Sequence, residues 1–516
     1  MTPNPPSTGP QAFHPAFGPA ALLAFSVLVF LPSLWNGFVL DDLFYVVHNP
    51  VLRDPSQWPR FLYDHTALLS ERSLSRLIWR PLLGLSYALN SLPAGASAFW
   101  FHLHDSLLHG ANTLLVLALL LRLTGTGPHA WAGAVLFCCH PVQAQSVAYA
   151  GGRPSLLSLG FCLVSLLLYA GPAKGFRARG SRLLLSVGAF CLALLSKESS
   201  LFLIPVLAAL DRLESPDGPS IRPALKRLAV FVVAGILYVL ARAWVLGLVS
   251  QRGPWGGGWV EHFQLASHGL FKTVSLAFWP VGLREPYGFL LSPHFMAESV
   301  LMAAVLALAA GLAVWGAKLR RVWGLGLFWA FCALLPVSNI VPFGALAADR
   351  YLYAPMAGAA ILAASQLKGR LKGWGGGAAL LLAGVMASAC AGAQLKWRSG
   401  FVLASEAAAA APRDPYPALR LASYYLEWGM LARAEELAVR GFIPEAPPDV
   451  RRLAYRRLAV IRMTAGQWAS ARELLEASLS ADPGQRGALE LLARCCLAMG
   501  DAKAARDASA RAAVLP

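Results

Sequence analysis

Apolar runs of roughly 16 to 23 residues recur over about the first 395 positions of this chain, close to the ~20 residues a helix needs to cross a bilayer. In hydrocarbon the backbone must satisfy its own hydrogen bonds, so runs of this kind imply membrane-spanning helices. The rest of the composition agrees: of 516 residues, 57% are hydrophobic and 14% charged, with mean hydropathy +0.53. Soluble domains carry about 25% charged residues. One packed soluble core is excluded, as are a disordered tail protein, a coiled coil and a secreted disulfide scaffold.

The predicted fold is an all-α polytopic membrane protein. About eleven crossings are expected, at 20–37, 99–121, 129–150, 155–171, 182–196, 199–211, 228–249, 296–316, 323–341, 351–367 and 375–394. Residues 1–19 are uncharged and Pro-rich, which predicts a disordered start and not a signal peptide. With the N-terminus inside, Lys and Arg concentrate in the inner loops, and most loop acids fall in two long outer loops, 38–98 and 250–295. The net charge of +17 is then a topology signal, with no nucleic-acid partner. The apolar stretch 263–283 reads better as an interfacial or re-entrant helix, because counting it as a crossing would move the basic cluster at 318–321 outside. Of eight cysteines, six lie in apolar runs and Cys495 and Cys496 are adjacent; no spacing suits a zinc site or a disulfide framework.

From about residue 400 the chain becomes rich in Ala, Arg, Glu and Leu. Gly429, Gly466 and Gly500 each precede a short Ala-rich helical pattern, at spacings of 37 and 34 residues. That is the tetratricopeptide period, and about three units are needed to bury a shared core. A C-terminal α-solenoid over 400–516 follows, placed outside by the odd number of crossings.

Charges at membrane depth are costly and point to function. Asp41 and Asp42 follow the first crossing; paired acids there suit a base or a grip on a cation or sugar hydroxyls, and equally suit a solvated loop or a helix cap. His102, Asp105 and His109 share a helix face beside His104, compatible with a metal site or with a polar packing face. His140-Pro141 interrupts the third crossing. Arg80, Arg153, Lys197 and Arg350 all come at outer helix ends, against the general charge bias. Such a set suits a phosphate at headgroup level, facing the acidic pair; simple snorkelling is the alternative. Lys197-Glu198 and Asp349-Arg350-Tyr351 belong to the same outer layer. Nucleotide-binding and hydrolase motifs are missing from the sequence.

Six blocks resemble the transmembrane and tetratricopeptide-repeat-containing O-mannosyltransferases, part of the GT-C membrane glycosyltransferases. They are WNGFVLDDLFYVVHNP (35–50), WRPLLGLSYALN (79–90), FHLHDSLLHGANTLL (101–115), HPVQAQSVAYAGGRPSLLSL (140–159), SKESSLFLIPVLAALD (196–211) and VPFGALAADRYLYAPMAG (341–358). The resemblance implies a GT-C-like domain over 20–395. It also implies inverting transfer of a sugar, typically mannose, from a polyprenyl phosphate to a Ser or Thr hydroxyl on the non-cytoplasmic side. Asp41 or Asp42 would be the base, and Arg153, Lys197 and Arg350, with Arg80, would hold the donor phosphate. His102, Asp105, His140, Gln145, Glu198, Asp349 and Tyr351 would line the donor and acceptor pocket. The chain departs from the family at Gln145 and Ser155, where relatives often carry acids, so another sugar or acceptor is open. The repeats would bind a protein or peptide acceptor. No metal is assigned, and a divalent ion is left open. The short repeat array suggests a bacterial inner-membrane protein with periplasmic repeats, or an ER protein with lumenal repeats if eukaryotic. The rival readings are a GT-C enzyme acting on a lipid or surface glycan, and a non-catalytic membrane scaffold.

Overall fold

A computed structural model describes residues 18–69, 78–93, 95–171, 176–214, 221–247, 254–255, 258–287, 295–342, 344–371, 373–444 and 446–515. Most of the expected N-terminal segment, residues 1–17, and part of the first outer loop, 70–77, lie outside them. Among the described residues every regular element is helical. The helices of eight residues or more are α1 (Pro19–Val29), α2 (Pro81–Ser91), α3 (Ala98–Thr124), α4 (Pro128–Cys139), α5 (Arg153–Ala170), α6 (Phe176–Ser196) and α7 (Leu203–Glu214). They continue with α8 (Ile221–Leu246), α9 (Trp259–Phe278), α10 (Phe295–Lys318), α11 (Val322–Leu334), α12 (Tyr353–Leu367) and α13 (Trp374–Leu395). The C-terminal set is α14 (Gly400–Ala410), α15 (Pro415–Glu427), α16 (Leu431–Ala438), α17 (Pro448–Thr464), α18 (Trp468–Ala481), α19 (Arg486–Ala498) and α20 (Ala502–Val514).

The chain is an all-α integral membrane protein. Five segments are long and apolar enough to cross a bilayer: Ala98–Thr124, Ala150–Ala170, Ala224–Leu246, Ser299–Gly316 and Trp374–Arg398. Several other expected crossings are shorter apolar helices. Two are visibly broken by proline. α1 gives way to a tight turn over Leu31–Trp35 that contains Pro32. The predicted helix over 129–150 stops at Cys139, because Pro141 lacks the amide to continue it and drives His140 into an extended conformation. Short turns over Pro141–Gln143, Ala144–Val147 and Ala150–Gly152 then carry the chain to α5. This irregular stretch brings Gln145 and Tyr149 beside Arg350.

α3 is the central strut. It packs on α1, α4, α5 and α12, and buries Ser106, His109, Asn112 and Thr113 along with its leucines. Those polar groups are satisfied internally: His109 bonds Tyr353 Oη (2.9 Å) and Cys138 O (3.0 Å), and Asn112 donates to Leu156 O (2.9 Å). α11 and α12 cross with almost no side chains between them. A Cβ on Gly358 would lie 2.6 Å from Gly326 O, and one on Gly326 2.7 Å from Gly358 O, so only glycine fits.

The repeats are three antiparallel hairpins, α15–α16, α17–α18 and α19–α20, with the first helices stacked in order. Gly429, Gly466 and Gly500 take the same left-handed conformation (φ +74°, +74° and +79°) at the turn inside each hairpin. The predicted 37- and 34-residue spacing thus marks one recurring backbone need. Small Ala434, Ala471 and Ala505 follow, all buried where paired helices meet. The array begins against the membrane body. Trp397 stacks on Tyr149 (5.0 Å), Gly37 N donates to Arg398 O (3.1 Å), and Leu403 of α14 joins Val39 and Ala148 in one small core.

Candidate active site

The acidic pair lies in a tight turn just past Trp35–Phe38. Leu40 has φ +55°, a conformation that costs a non-glycine residue about 1–3 kcal/mol. Asp42 holds the turn: its carboxylate accepts from Val39 N (3.2 Å) and from Gly151 N (2.7 Å). Asp42 is fully buried, and burial pushes its carboxyl well above the ordinary range despite the two amides. Asp41 differs in every respect. It is half-buried, and among the described residues no hydrogen bond or ion pair engages its carboxylate. Of two neighbours in sequence, one is a backbone clasp and the other carries no side-chain partner among the described residues.

Of the four expected cations, Arg350 lies in the field of Asp41, and Lys197 and Arg80 are linked to it through Arg350 and Tyr45. Arg350 interacts electrostatically with Asp41 and Tyr149. Lys197 lies in the field of Arg80 and Arg350, and Tyr45 in that of Asp41, Arg80 and Arg350. Their degrees of compensation differ. Arg80 forks onto Glu198 (Nη2–Oε1 2.7 Å, Nε–Oε2 3.1 Å), and although burial opposes it, the guanidinium holds the Glu198 carboxyl down at about 2. Arg350 meets Glu285 at only 3.4 Å. Lys197 donates to the neutral Ser155 Oγ (2.9 Å); burial, with Arg80 and Arg350 nearby, pushes its ammonium down to about 7.

Arg153, the fourth expected phosphate ligand, is placed elsewhere. Its side chain is 0% exposed, against 22% for Arg350. Its Nε pairs with Asp105 Oδ1 (2.5 Å), its Nη2 donates to Asn90 Oδ1 (2.8 Å) and Phe101 O (3.1 Å), and its Cζ lies 4.9 Å from the ring centres of both Tyr87 and Phe101. It is a pillar joining α2, α3 and α5. Asp105 and the buried His102, which abuts Phe38, belong to this packing face. With His109 bonded to Tyr353 and Cys138, the triad expected on α3 is not gathered around one point. Among the described residues no group of three or more His, Cys, Asp or Glu could hold a metal ion.

The remaining pocket residues form a frame behind the cations. Gln145 Nε2 donates to Glu285 Oε2 (2.7 Å), and its Oε1 accepts from Arg350 N (2.7 Å). Asp349 accepts from Tyr287 Oη (2.6 Å), and burial raises its carboxyl to about 7. Tyr351 Oη bonds Ala345 N and O, both at 3.1 Å. His140 accepts from Val142 N (3.4 Å), capping the turn made by Pro141. Sequence reasoning noted Glu285 only as a loop acid and passed over Tyr45, Tyr149 and Tyr287. A Glu-Pro pair amid aromatics in a long outer loop was the one available hint.

The tetratricopeptide repeat profile matches residues 462–513. Among curated proteins, the chain is 32% identical over 236 residues to Protein O-mannosyl-transferase Tmtc2 of Drosophila melanogaster, covering 44% of this chain and 24% of that protein. It is 32% identical over 221 residues to Protein O-mannosyl-transferase TMTC1 of Mus musculus, covering 40% and 23%. A Caenorhabditis elegans protein O-mannosyl-transferase is 26% identical over 358 residues, covering 66% and 50%. The chain therefore spans about a quarter of the first two relatives and half of the third. Among solved structures, ArnT from Cupriavidus metallidurans bound to undecaprenyl phosphate matches at TM-score 0.43, with 14% identity over 89% of this chain and 79% of that one. The apo form of the same protein gives 0.46 with 13% identity, over 95% and 77%. Taken with the fold and the repeats, the chain is similar to the transmembrane, tetratricopeptide-repeat-containing protein O-mannosyl-transferases.

Proposed function

We propose that the chain is an inverting glycosyltransferase that moves a sugar, mannose in the first instance, from a polyprenyl phosphate to a Ser or Thr hydroxyl of a polypeptide. The observation that carries this reading is Asp41, a carboxylate free of partners among the described residues, facing cations that are only partly neutralised. The acceptor oxygen attacks the anomeric carbon opposite the phosphate, the carbon–phosphate oxygen bond breaks, and Asp41 takes the hydroxyl proton. Lys197 and Arg350 receive the charge that develops on the leaving phosphate. Arg80, tied to Glu198, and Gln145, tied to Glu285 and the Arg350 amide, keep those cations in place. The site would face the non-cytoplasmic side, with the repeats beside it, in a bacterial inner membrane or an ER membrane.

The test is transfer of radiolabelled mannose from mannosyl-phosphoryl-polyprenol to a Ser/Thr peptide by the purified full chain. Asp41→Asn should lower the rate by about 10² to 10⁴, the range expected for a lost general base, without lowering Tm. Asp42→Asn should instead lower Tm, because the two Asp42 oxygens accept from Val39 N and Gly151 N and an Asn amide offers only one acceptor oxygen. Wild-type rates from Asp41→Asn would sink the proposal.

A further inference from the structure

One face of the first helices of the repeat array carries charge that the described residues balance only in part. Arg420 on α15 and Arg456 and Arg457 on α17 make no hydrogen bond or ion pair among the described residues. Arg456 Nε and Arg457 Nε are buried without an acceptor. The three lie together: Arg457 feels both Arg456 and Arg420, and Arg456 feels Arg452. Burial and this mutual repulsion push the Arg456 and Arg457 guanidinium groups below their ordinary range. The acids nearby relieve it only in part. Asp482 is engaged by Arg452 (3.3 Å), and Glu427, which touches the field of Arg457, is exposed.

A second positive feature meets the same group. A Cβ on Gly487 would lie 3.5 Å from Arg456 Nη1, so the guanidinium lies over the first turn of α19. That helix end has no side-chain cap on its amides, because Gln485 turns back to Ser478 O and Asp482 O. Its partial positive charge adds to that of Arg456. Cations crowded against an uncapped helix start are destabilising unless an anion joins them.

We propose that this face binds an extended acidic peptide segment, with carboxylates matched to the arginines of α15 and α17 and to the start of α19. The charges run along three successive first helices and do not converge on one point, which suits a chain of carboxylates and not a single phosphate. Helices packed about 8–10 Å apart place the outer positions about 20 Å from each other. An extended peptide covers that span in roughly six residues. The proposal names the chemistry of a partner for the repeats, and it stands whether or not the membrane site transfers a sugar.

The test uses the purified full chain and fluorescence polarisation. The probe is a fluorescein-labelled peptide of about twelve residues alternating Glu and Ser, with a Gln/Ser peptide as control. The Glu peptide should bind at least about tenfold tighter than the Gln peptide. That advantage should shrink as salt rises from about 50 to about 500 mM. The double variant Arg456→Gln/Arg457→Gln should lose the advantage while melting at or above the wild-type Tm, since it removes uncompensated charge. Arg456→Lys/Arg457→Lys should keep most of it. Equal binding of the two peptides would overturn the proposal, as would undiminished Glu-peptide binding by the Gln variant. Arginine-dependent capture of phosphatidylglycerol vesicles without peptide binding would overturn it too, by assigning the face to a lipid surface.

Discussion

The membrane body and the repeat array treat arginine in opposite ways. In the body, Arg153 is wholly buried and comes with Asp105, Asn90 and two rings; Arg80 comes with Glu198; Arg350 comes with Glu285. In the repeats, Arg433, Arg472 and Arg486 make exposed pairs one turn along their own helices, which solvent screens and which add little stability. Arg420, Arg456 and Arg457 have no such pair among the described residues. The difference follows from solvent. A charge taken from water without a partner costs several kcal/mol, so the body's buried arginines come with counter-ions, and the partly buried Arg456 and Arg457 of the array, which have no ion pair among the described residues, depart from that rule. The rule makes exceptions informative. Within the body the outstanding ones are Asp41, with no hydrogen bond or ion pair on its carboxylate among the described residues, and Lys197, whose ammonium meets a neutral hydroxyl.

The largest expected effect that would break this contrast is at Arg153. Arg153→Ala should cost about 3–5 kcal/mol, read as a lower Tm or loss of monodisperse protein, because it strands Asp105 in the packed interior. The double variant Arg153→Met/Asp105→Leu should recover much of that loss. A donor-binding defect at unchanged stability would instead return Arg153 to the phosphate set.

Lys197 sharpens the comparison through pH. Its ammonium is depressed to about 7 by burial and the nearby Arg80 and Arg350, so it is charged below that pH and neutral above it. A bound phosphate favours the charged form, so donor binding takes up a proton and weakens as pH rises through about 7, approaching tenfold per unit once Lys197 is neutral. Lys197→Arg, with a guanidinium that stays protonated, should flatten that profile. A wild-type profile already flat from pH 6 to about 8.5 would remove Lys197 from the phosphate site.

The smallest effect lies in the array. Gly466→Ala forces a side chain into φ +74°, although open space surrounds the position. It should cost about 1 kcal/mol, visible as earlier melting of the repeats with membrane-site activity unchanged. A parallel loss of activity would show that the repeats hold the catalytic loops through the Trp397–Tyr149 stack.

Apolar run length determined the class of the protein from the sequence alone, because hydropathy is a sum over neighbouring residues. Glycine spacing determined the repeats for a related reason: Gly429, Gly466 and Gly500 answer a local backbone need that recurs with each hairpin. The acidic turn and the basic helix ends were legible by position, and so was the break at Pro141. Which acid is free and which cations gather were decided by tertiary structure. Asp42 is occupied by an amide 109 positions away, Gln145 reaches Glu285 140 positions on, and Arg80 finds Glu198 118 positions on. Neighbours such as Asp41 and Asp42 look alike in sequence and differ only in what the folded chain brings against them. Hydrogen bonding and desolvation act over a few ångströms of space, and no local pattern along the chain encodes that distance.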